Sequence, residues 1–302
     1  MSFVNTTDKP TRTMQISPCA KINLGLNVVS RRSDGYHNLE TVFYPVPLFD
    51  SLNIEPLPDG ADSCLTVTGL RNANELGEAE KNLVMRAYRM LEKDFNLPPV
   101  HITLGKHIPM QAGLGGGSSD GAYTLRLLNS LFELGLTDEV LRGYAARLGA
   151  DCPFFVTATP AYAEGIGDRL MPVPLSLQGW QLVIVKPPVA VSTREAYAGI
   201  TPRKPLKCCR DVVMQPVNTW RGELVNDFEE SIFALLPEIG AVKQRLYDLG
   251  AVYAVMSGSG SSVVGLFENS TNISTRLTDS MKEFEGCFTK VVNLPSAPPK
   301  EG

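Results

Sequence analysis

Four groups of residues in this sequence have the types and spacing to do chemistry. The longest is Pro109-Met110-Gln111-Ala112-Gly113-Leu114-Gly115-Gly116-Gly117-Ser118-Ser119-Asp120, where four glycines fall within five residues. Glycines let backbone N–H groups turn toward a ligand and approach it closely. A helix starting after them adds unpaired N–H donors and the positive end of a dipole. That combination suits an anion, read here as phosphate. It is not a Walker loop, because Ser118 stands where Lys is required, and Ser118 also replaces the third glycine of a dinucleotide fingerprint. The second group is Lys21 and Asn23, two apart in an alternating run. It is either a solvated strand face or a pair aimed at a ligand. The third is Asp151 in Gly149-Ala150-Asp151-Cys152-Pro153-Phe154-Phe155, a turn or cap residue unless a partner makes it a base. The fourth, Tyr36-His37, follows the turn Ser33-Asp34-Gly35 and could stack on a nucleobase or plug a hairpin corner.

Each group needs an element to aim it. Residues 100–104 alternate and predict a strand feeding the glycine loop. Leu125, Leu128 and Phe132 share one face of the helix that follows, and Gly135 is placed to stop it. Ala20, Ile22, Leu24, Leu26 and Val28 alternate with Lys21, Asn23, Gly25 and Asn27, a half-buried strand. Asn82 opens a helix over 83–95, with Leu83, Ala87, Met90 and Leu91 inward. Thr137 caps a helix with Asp138 and Glu139 in its first turn and Val140, Leu141, Tyr144, Ala145 and Leu148 inward. Gly149 ends that helix. Asp151 then precedes an apolar strand, with Pro153 holding Cys152 extended.

Elsewhere, 41–54 reads as an edge strand interrupted by Pro45 and Pro47. Residues 64–68 and 182–185 read as strands, 164–168 as a turn between strands and 202–216 as a surface loop. Ser192 or Thr193 caps a helix to Tyr197. Helices follow at 232–236, stopped by Pro237, and at 239–249. Strands at 252–255 and 263–267 flank Met256-Ser257-Gly258-Ser259-Gly260-Ser261-Ser262. That second small-residue loop lets a backbone approach a phosphate or makes a tight bend.

At 302 residues, 43% apolar and 20% charged, the chain is long enough for one large domain or two ordinary ones. A net charge of −4 leaves no footprint for nucleic acid or an anionic membrane, and no apolar run spans a bilayer. The polar stretch 1–13 lacks the core of a signal peptide and reads as a frayed tail. Six scattered cysteines without a CxxC pair read as reduced thiols in a bacterial cytoplasm, and three histidines without an HExxH motif suggest no structural zinc.

Pro18-Cys19-Ala20-Lys21-Ile22-Asn23-Leu24, the glycine loop and the loop at 257–262 together resemble the GHMP kinases, a family of small-molecule kinases. Asp34-Gly35-Tyr36-His37, Lys81-Asn82-Leu83, the segment 149–155 and Asn226-Asp227-Phe228-Glu229 narrow the likeness to members acting on a cytidine diphosphate-linked methylerythritol. The motifs run in the expected order from about residue 18 to about 267, and the stretch from Glu268 on adds little. One departure, Gln111-Ala112, lies at the loop entrance, where glycines are frequent in the family. The resemblance implies an α/β fold of two parts. Residues 14–180 would form an ATP-binding, catalytic domain like domain 2 of ribosomal protein S5, with a left-handed βαβ crossover. Residues 181–302 would form a ferredoxin-like, substrate-side domain.

The implied reaction moves the γ-phosphoryl of ATP, with Mg²⁺, to the 2-hydroxyl of the methylerythritol unit, a step of non-mevalonate isoprenoid biosynthesis. The alternative within the family is a mevalonate, homoserine or sugar acceptor. By the same resemblance Pro109 to Ser119 and Asn82 hold the nucleotide. Asp151 takes the hydroxyl proton with Lys21 beside it, and Asn23 points toward the substrate. Tyr36 and Tyr197 sandwich the cytosine, His37 meets its edge, and Thr193 lies near the diphosphate. The expected partner is this small molecule, bound by a monomer or homodimer, with no nucleic acid and no membrane. Lys21 and Asp151 together argue against a catalytically silent binding module, and the incomplete fingerprint argues against a dinucleotide-dependent oxidoreductase.

Overall fold

A computed structural model describes residues 13–69, 78–268 and 281–294. Nearly all of the polar N-terminal stretch and much of the C-terminal tail lie outside the described residues. In chain order the elements are β1 (Met14–Ile16), β2 (Cys19–Arg31), β3 (His37–Phe49), β4 (Ser51–Pro56), β5 (Cys64–Thr68), α1 (Leu83–Phe95), β6 (Val100–Gly105), α2 (Gly116–Leu131) and α3 (Asp138–Leu148). They continue with β7 (Ala161–Glu164), β8 (Arg169–Pro172), β9 (Trp180–Lys186), α4 (Thr193–Ala198), α5 (Cys209–Val213), α6 (Phe228–Leu235), α7 (Pro237–Asp248), β10 (Tyr253–Met256), β11 (Val263–Glu268) and β12 (Phe288–Asn293).

The strands form three four-stranded sheets, ordered β1-β4-β6-β5, β2-β3-β7-β8 and β10-β11-β9-β12. β5 and β6 pair in parallel, and α1 lies in the connection between them. In the third sheet the antiparallel strands β9, β10, β11 and β12 follow the strand succession of a ferredoxin-like unit, with helices between β9 and β10.

Helices α1, α2 and α3 bury their apolar sides on the first sheet, in a core that includes Leu52, Ile54, Ile102, Leu125 and Leu128. The second and third sheets share another core, in which Ala20, Ile22 and Leu24 of β2 meet Leu182, Val255 and Leu266. The outer face of the third sheet packs on α6 and α7. β2 is therefore buried along most of its length, not half-exposed: its apolar face meets the third sheet and its polar face lines a cleft.

Local chemistry explains the element ends. Asn82 accepts a hydrogen bond from the Val84 amide and starts α1, and Thr137 does the same for α3 through Val140 N. Ser192 and Glu195 form a reciprocal capping box at α4.

Several expectations need correction. The 41–54 run divides into β3 and β4, which belong to different sheets. β3 continues through both prolines because β7 pairs only with Thr41–Phe43, so no partner on that side needs the missing N–H groups. The apolar stretch Cys152–Val156 is a 3-10 turn, not a strand: Pro153 fits its first turn, and a short apolar run does not reveal its period. α2 starts inside the glycine run and ends at Leu131, leaving Phe132 just past it. Val140 is exposed on α3. The 202–216 loop contains α5, which buries Cys209, Val212 and Val213, and α6 begins at Phe228, four residues before the expected start at Ile232. β12, in the tail, completes the third sheet beside β9.

Candidate active site

The polar face of β2 brings Lys21 and Asn23 together. Lys21 Nζ donates to Asn23 Oδ1 at 2.6 Å and lies 3.2 Å from Asp151 Oδ2. The Asn23 amide donates onward to Thr41 Oγ1 at 3.0 Å, and the Thr41 hydroxyl donates to the Gly25 carbonyl. The Phe43 ring also faces the ammonium, 4.8 Å from its centroid. The Lys21 side chain is 4% exposed and that of Asp151 34%, so the lysine forms the floor and the carboxylate opens to the cleft.

The loop after β10 and β2 lock the glycine segment from behind. The Leu114 carbonyl accepts from Lys21 N at 2.9 Å, and the Ala112 carbonyl accepts from Ser262 N at 3.2 Å. Ser257 Oγ donates to the Gly113 carbonyl at 2.8 Å and accepts from Asn23 N at 3.1 Å. A Cβ at Gly113, where φ is 71°, would stand 1.9 Å from the Ser257 carbonyl oxygen, so only glycine fits. At Gly117 a Cβ would meet nothing within 4 Å, and that surface faces open cleft. α2 starts at Gly116, so the N–H groups of Gly116, Gly117 and Ser118 have no acceptor within the helix. This arrangement can receive an anion.

The cleft has a volume of about 1300 Å³. Lys21, Asn23, Tyr36, His37, Asn82, Asp151, Thr193, Tyr197 and the loop from Pro109 to Ser118 all line it. Ala112 and Leu114 contribute mainly backbone, because their side chains are buried in the core between the sheets. Ser119 does not reach the cleft. Its Oγ is buried without a hydrogen-bond partner and its N–H closes the first turn of α2 onto Gly115 O, so it stands apart from the other residues expected at the nucleotide. Gln111 has a φ of 49°, the left-handed conformation that glycine adopts more easily. Asn82 spends its Oδ1 on the helix cap, which leaves its amide N–H₂ for a ligand.

The aromatic group differs from the expected sandwich. His37 stacks on Tyr197 with centroids 4.9 Å apart and planes 13° apart, and Phe228 meets Tyr197 edge to face at 4.9 Å. Tyr36 stands outside this stack, 63% exposed. Burial, with the charge of Asp151, pushes the Tyr197 phenol up to about 12, so it stays a neutral platform. Thr193 Oγ1 lies 3.4 Å from Ser259 Oγ and links α4 to the late loop. Behind the base candidate, burial pushes the Cys152 thiol up to about 12, which makes it a packing group and no nucleophile.

Sequence reasoning missed Ser257 as the common tie of three segments, Phe228 as the support of Tyr197, and the charged pair Lys106 and Asp120 on the cleft wall. The small-residue loop signalled the first, and Asp120 ended the glycine motif in plain view. Nothing in the sequence joined Lys106 to it.

Two family models match this chain: the GHMP kinases N terminal domain over residues 82–159 and the GHMP kinases C terminal domain over 217–282. With this fold, this loop and relatives sharing half its sequence, the chain belongs to the GHMP kinase family and is a small-molecule kinase. A relative from Bacteroides fragilis, 54% identical over 272 residues (90% of this chain and 96% of the relative), is a 4-diphosphocytidyl-2-C-methyl-D-erythritol kinase. So is one from Parabacteroides distasonis, 47% identical over 90% of this chain and 96% of its own length. A crystal structure of 4-(cytidine 5'-diphospho)-2C-methyl-D-erythritol kinase superposes with a TM-score of 0.73 at 33% identity, covering 93% of this chain and 99% of that one. Homoserine kinase from Cytophaga hutchinsonii reaches the same TM-score at 17% identity and shows the shared fold alone.

Proposed function

We propose that this kinase transfers the γ-phosphoryl group of ATP to the 2-hydroxyl of 4-diphosphocytidyl-2-C-methyl-D-erythritol. The observation that carries the reading is the Lys21–Asp151 pair, 3.2 Å apart, on the floor of a cleft walled by the start of α2 and by the Tyr197 stack. The relatives that share half of this sequence, and are kinases of that compound, support the choice of acceptor.

Phosphoryl transfer depends mostly on positioning and charge stabilisation. The free N–H groups of Gly116, Gly117 and Ser118 hold the β- and γ-phosphates, and the Asn82 amide lies on the adenine side. The Asp151 carboxylate accepts the proton of the acceptor hydroxyl as that oxygen attacks the γ-phosphorus, the bond from phosphorus to the β–γ bridging oxygen breaks and ADP leaves. Lys21 keeps Asp151 aimed and offsets charge growing on the transferred group. Asn23 orients Lys21 through their hydrogen bond and faces the acceptor. The cytosine stacks at the His37 and Tyr197 pair, with Tyr36 exposed in the same cleft, and Thr193 with Ser259 faces the diphosphate. The Ser118 hydroxyl, on the first turn of α2, would be the protein's contact to Mg²⁺, which would supply charge to offset that of the phosphates. Residues 14–180 form the nucleotide and catalytic part and 181–302 the substrate-side part, a division supported by the start of the third sheet at Trp180. The bacterial origin of the relatives supports placing the enzyme in a bacterial cytoplasm.

The test is ATP consumption by the purified enzyme with Mg²⁺ and each of four alcohols: the cytidine compound, mevalonate, homoserine and galactose. Turnover with the cytidine compound alone is expected. Turnover with another alcohol would keep the kinase and discard the acceptor.

A further inference from the structure

A buried charge cluster lies directly under the start of α2. Lys106, one residue past β6, places its ammonium between two carboxylates: Asp50 at the β3–β4 corner and Asp120 in the second turn of α2, the latter at 2.7 Å. The three side chains are 8%, 0% and 3% exposed. Asp50 also accepts from the backbone N–H groups of His107, at 2.5 Å, and Ile108, at 2.8 Å, so it fixes the chain leaving β6 toward the glycine loop. The other Asp120 oxygen, Oδ1, is buried without a hydrogen-bond partner. A Cβ at Gly116 would come within 3.4 Å of Lys106 Nζ, so the ammonium sits beneath the first residue of the helix. Lys106 and Asp120 both line the cleft.

Ionisable groups this deep cost more in desolvation than an exposed pair, and Lys106 is the group that joins the two carboxyls. Removing the cation takes away the group that joins the two carboxyls. Without it this cluster no longer anchors α2, and with it the N–H groups of Gly116 to Ser118, against the end of β6. Lys21 is tied to Leu114, Asn23 and Asp151, whereas the cluster is bonded to His107 and Ile108, so the two halves of the site rest on separate hydrogen bonds.

We infer that Lys106 is a positioning residue for the nucleotide half of the site, setting the phosphate-facing start of α2 against β6 through Asp120 and Asp50. The inference rests on the reading that this cleft binds ATP, but not on the identity of the acceptor.

The test compares wild type, K106M and K106R by calorimetric titration with ADP, and by KM for ATP and for the acceptor that wild type uses. K106M is expected to weaken ADP binding and raise the ATP KM at least tenfold, with the acceptor KM within twofold and kcat at saturating ATP within threefold. K106R, which keeps the cation, is expected to recover ADP affinity to within about threefold. Wild-type ADP affinity in folded K106M would overturn the inference, as would equal losses for ATP and acceptor. If K106M does not fold, K106Q, which still donates to a carboxylate, takes its place under the same criteria. Should wild type bind ADP but turn over no cytidine acceptor, the acceptor assignment fails while the ADP comparison still judges Lys106.

Discussion

Tyr197 is held by the His37 ring stacked at 4.9 Å and by the Phe228 ring, 4.9 Å away and perpendicular to it. A platform fixed this way lowers the entropy lost when a base stacks on it, and stacking is worth about 1–3 kcal/mol per base. Tyr197→Ala is therefore expected to raise KM for the cytidine acceptor about tenfold or more and to leave the ATP KM within twofold. Steady-state kinetics in both substrates check this, and equal changes in the two constants would remove the stacking role. At this scale the sequence was most informative where periodicity applied: Lys21 and Asn23 had to share a face because side chains alternate along a strand. A lone aspartate carries no such signal. Only the 3.2 Å approach of Lys21 distinguishes Asp151 from an ordinary turn residue, and only the fold joins Ser257 to Asn23 and Gly113 across more than a hundred residues of chain.

Among the elements, the glycine loop depends on its contact with the loop after β10. Gly113→Ala would place a methyl group 1.9 Å from the Ser257 carbonyl oxygen, at a φ of 71°. A backbone clash of that kind cannot be relieved by a rotamer, and the left-handed conformation adds about 1 kcal/mol for a non-glycine residue. The variant is expected to lose about 2 kcal/mol or more of stability and at least a hundredfold in kcat/KM. Urea unfolding and the coupled ATP assay measure these, and a fully active, wild-type-stable G113A would contradict the locking role given to Ser257. The helices with caps were legible: α1 begins after Asn82, and α3 runs from Thr137 to Gly149, because capping chemistry is local. The 3-10 turn after Asp151 and α5 were not, because runs of about five residues show no period and their burial depends on distant partners.

For the whole molecule, the three sheets could not be read from the chain, since pairing partners such as β9 and β12 lie about a hundred residues apart. The alternation that marked individual strands does not say which strand lies beside which. The buried charges under α2 then influence global stability. Burial, only partly offset by Lys106, raises the Asp120 carboxyl to about 7 from its ordinary value of 3.8. Lys106 itself pays a burial penalty, but Asp120 and Asp50 outweigh it and raise its pKa. For Asp120 the folded state holds a proton that the unfolded chain releases. This contribution to stability is therefore full below about pH 4 and is lost as pH rises toward about 7, at up to about 1.4 kcal/mol per pH unit. Asp120→Asn removes that slope. Urea midpoints at pH 5, 6, 7 and 8 are expected to fall more steeply in wild type than in D120N, and parallel curves would contradict the assignment.

The central claim is that Asp151 takes the proton of the acceptor hydroxyl. Its most direct test is kcat of Asp151→Asn with 4-diphosphocytidyl-2-C-methyl-D-erythritol, measured at saturating ATP beside calorimetric ADP binding. Asparagine keeps the shape and cannot accept that proton as a base, so kcat is expected to fall by about a hundredfold or more, with ADP affinity and melting temperature unchanged. Turnover within threefold of wild type in that variant would contradict the mechanism.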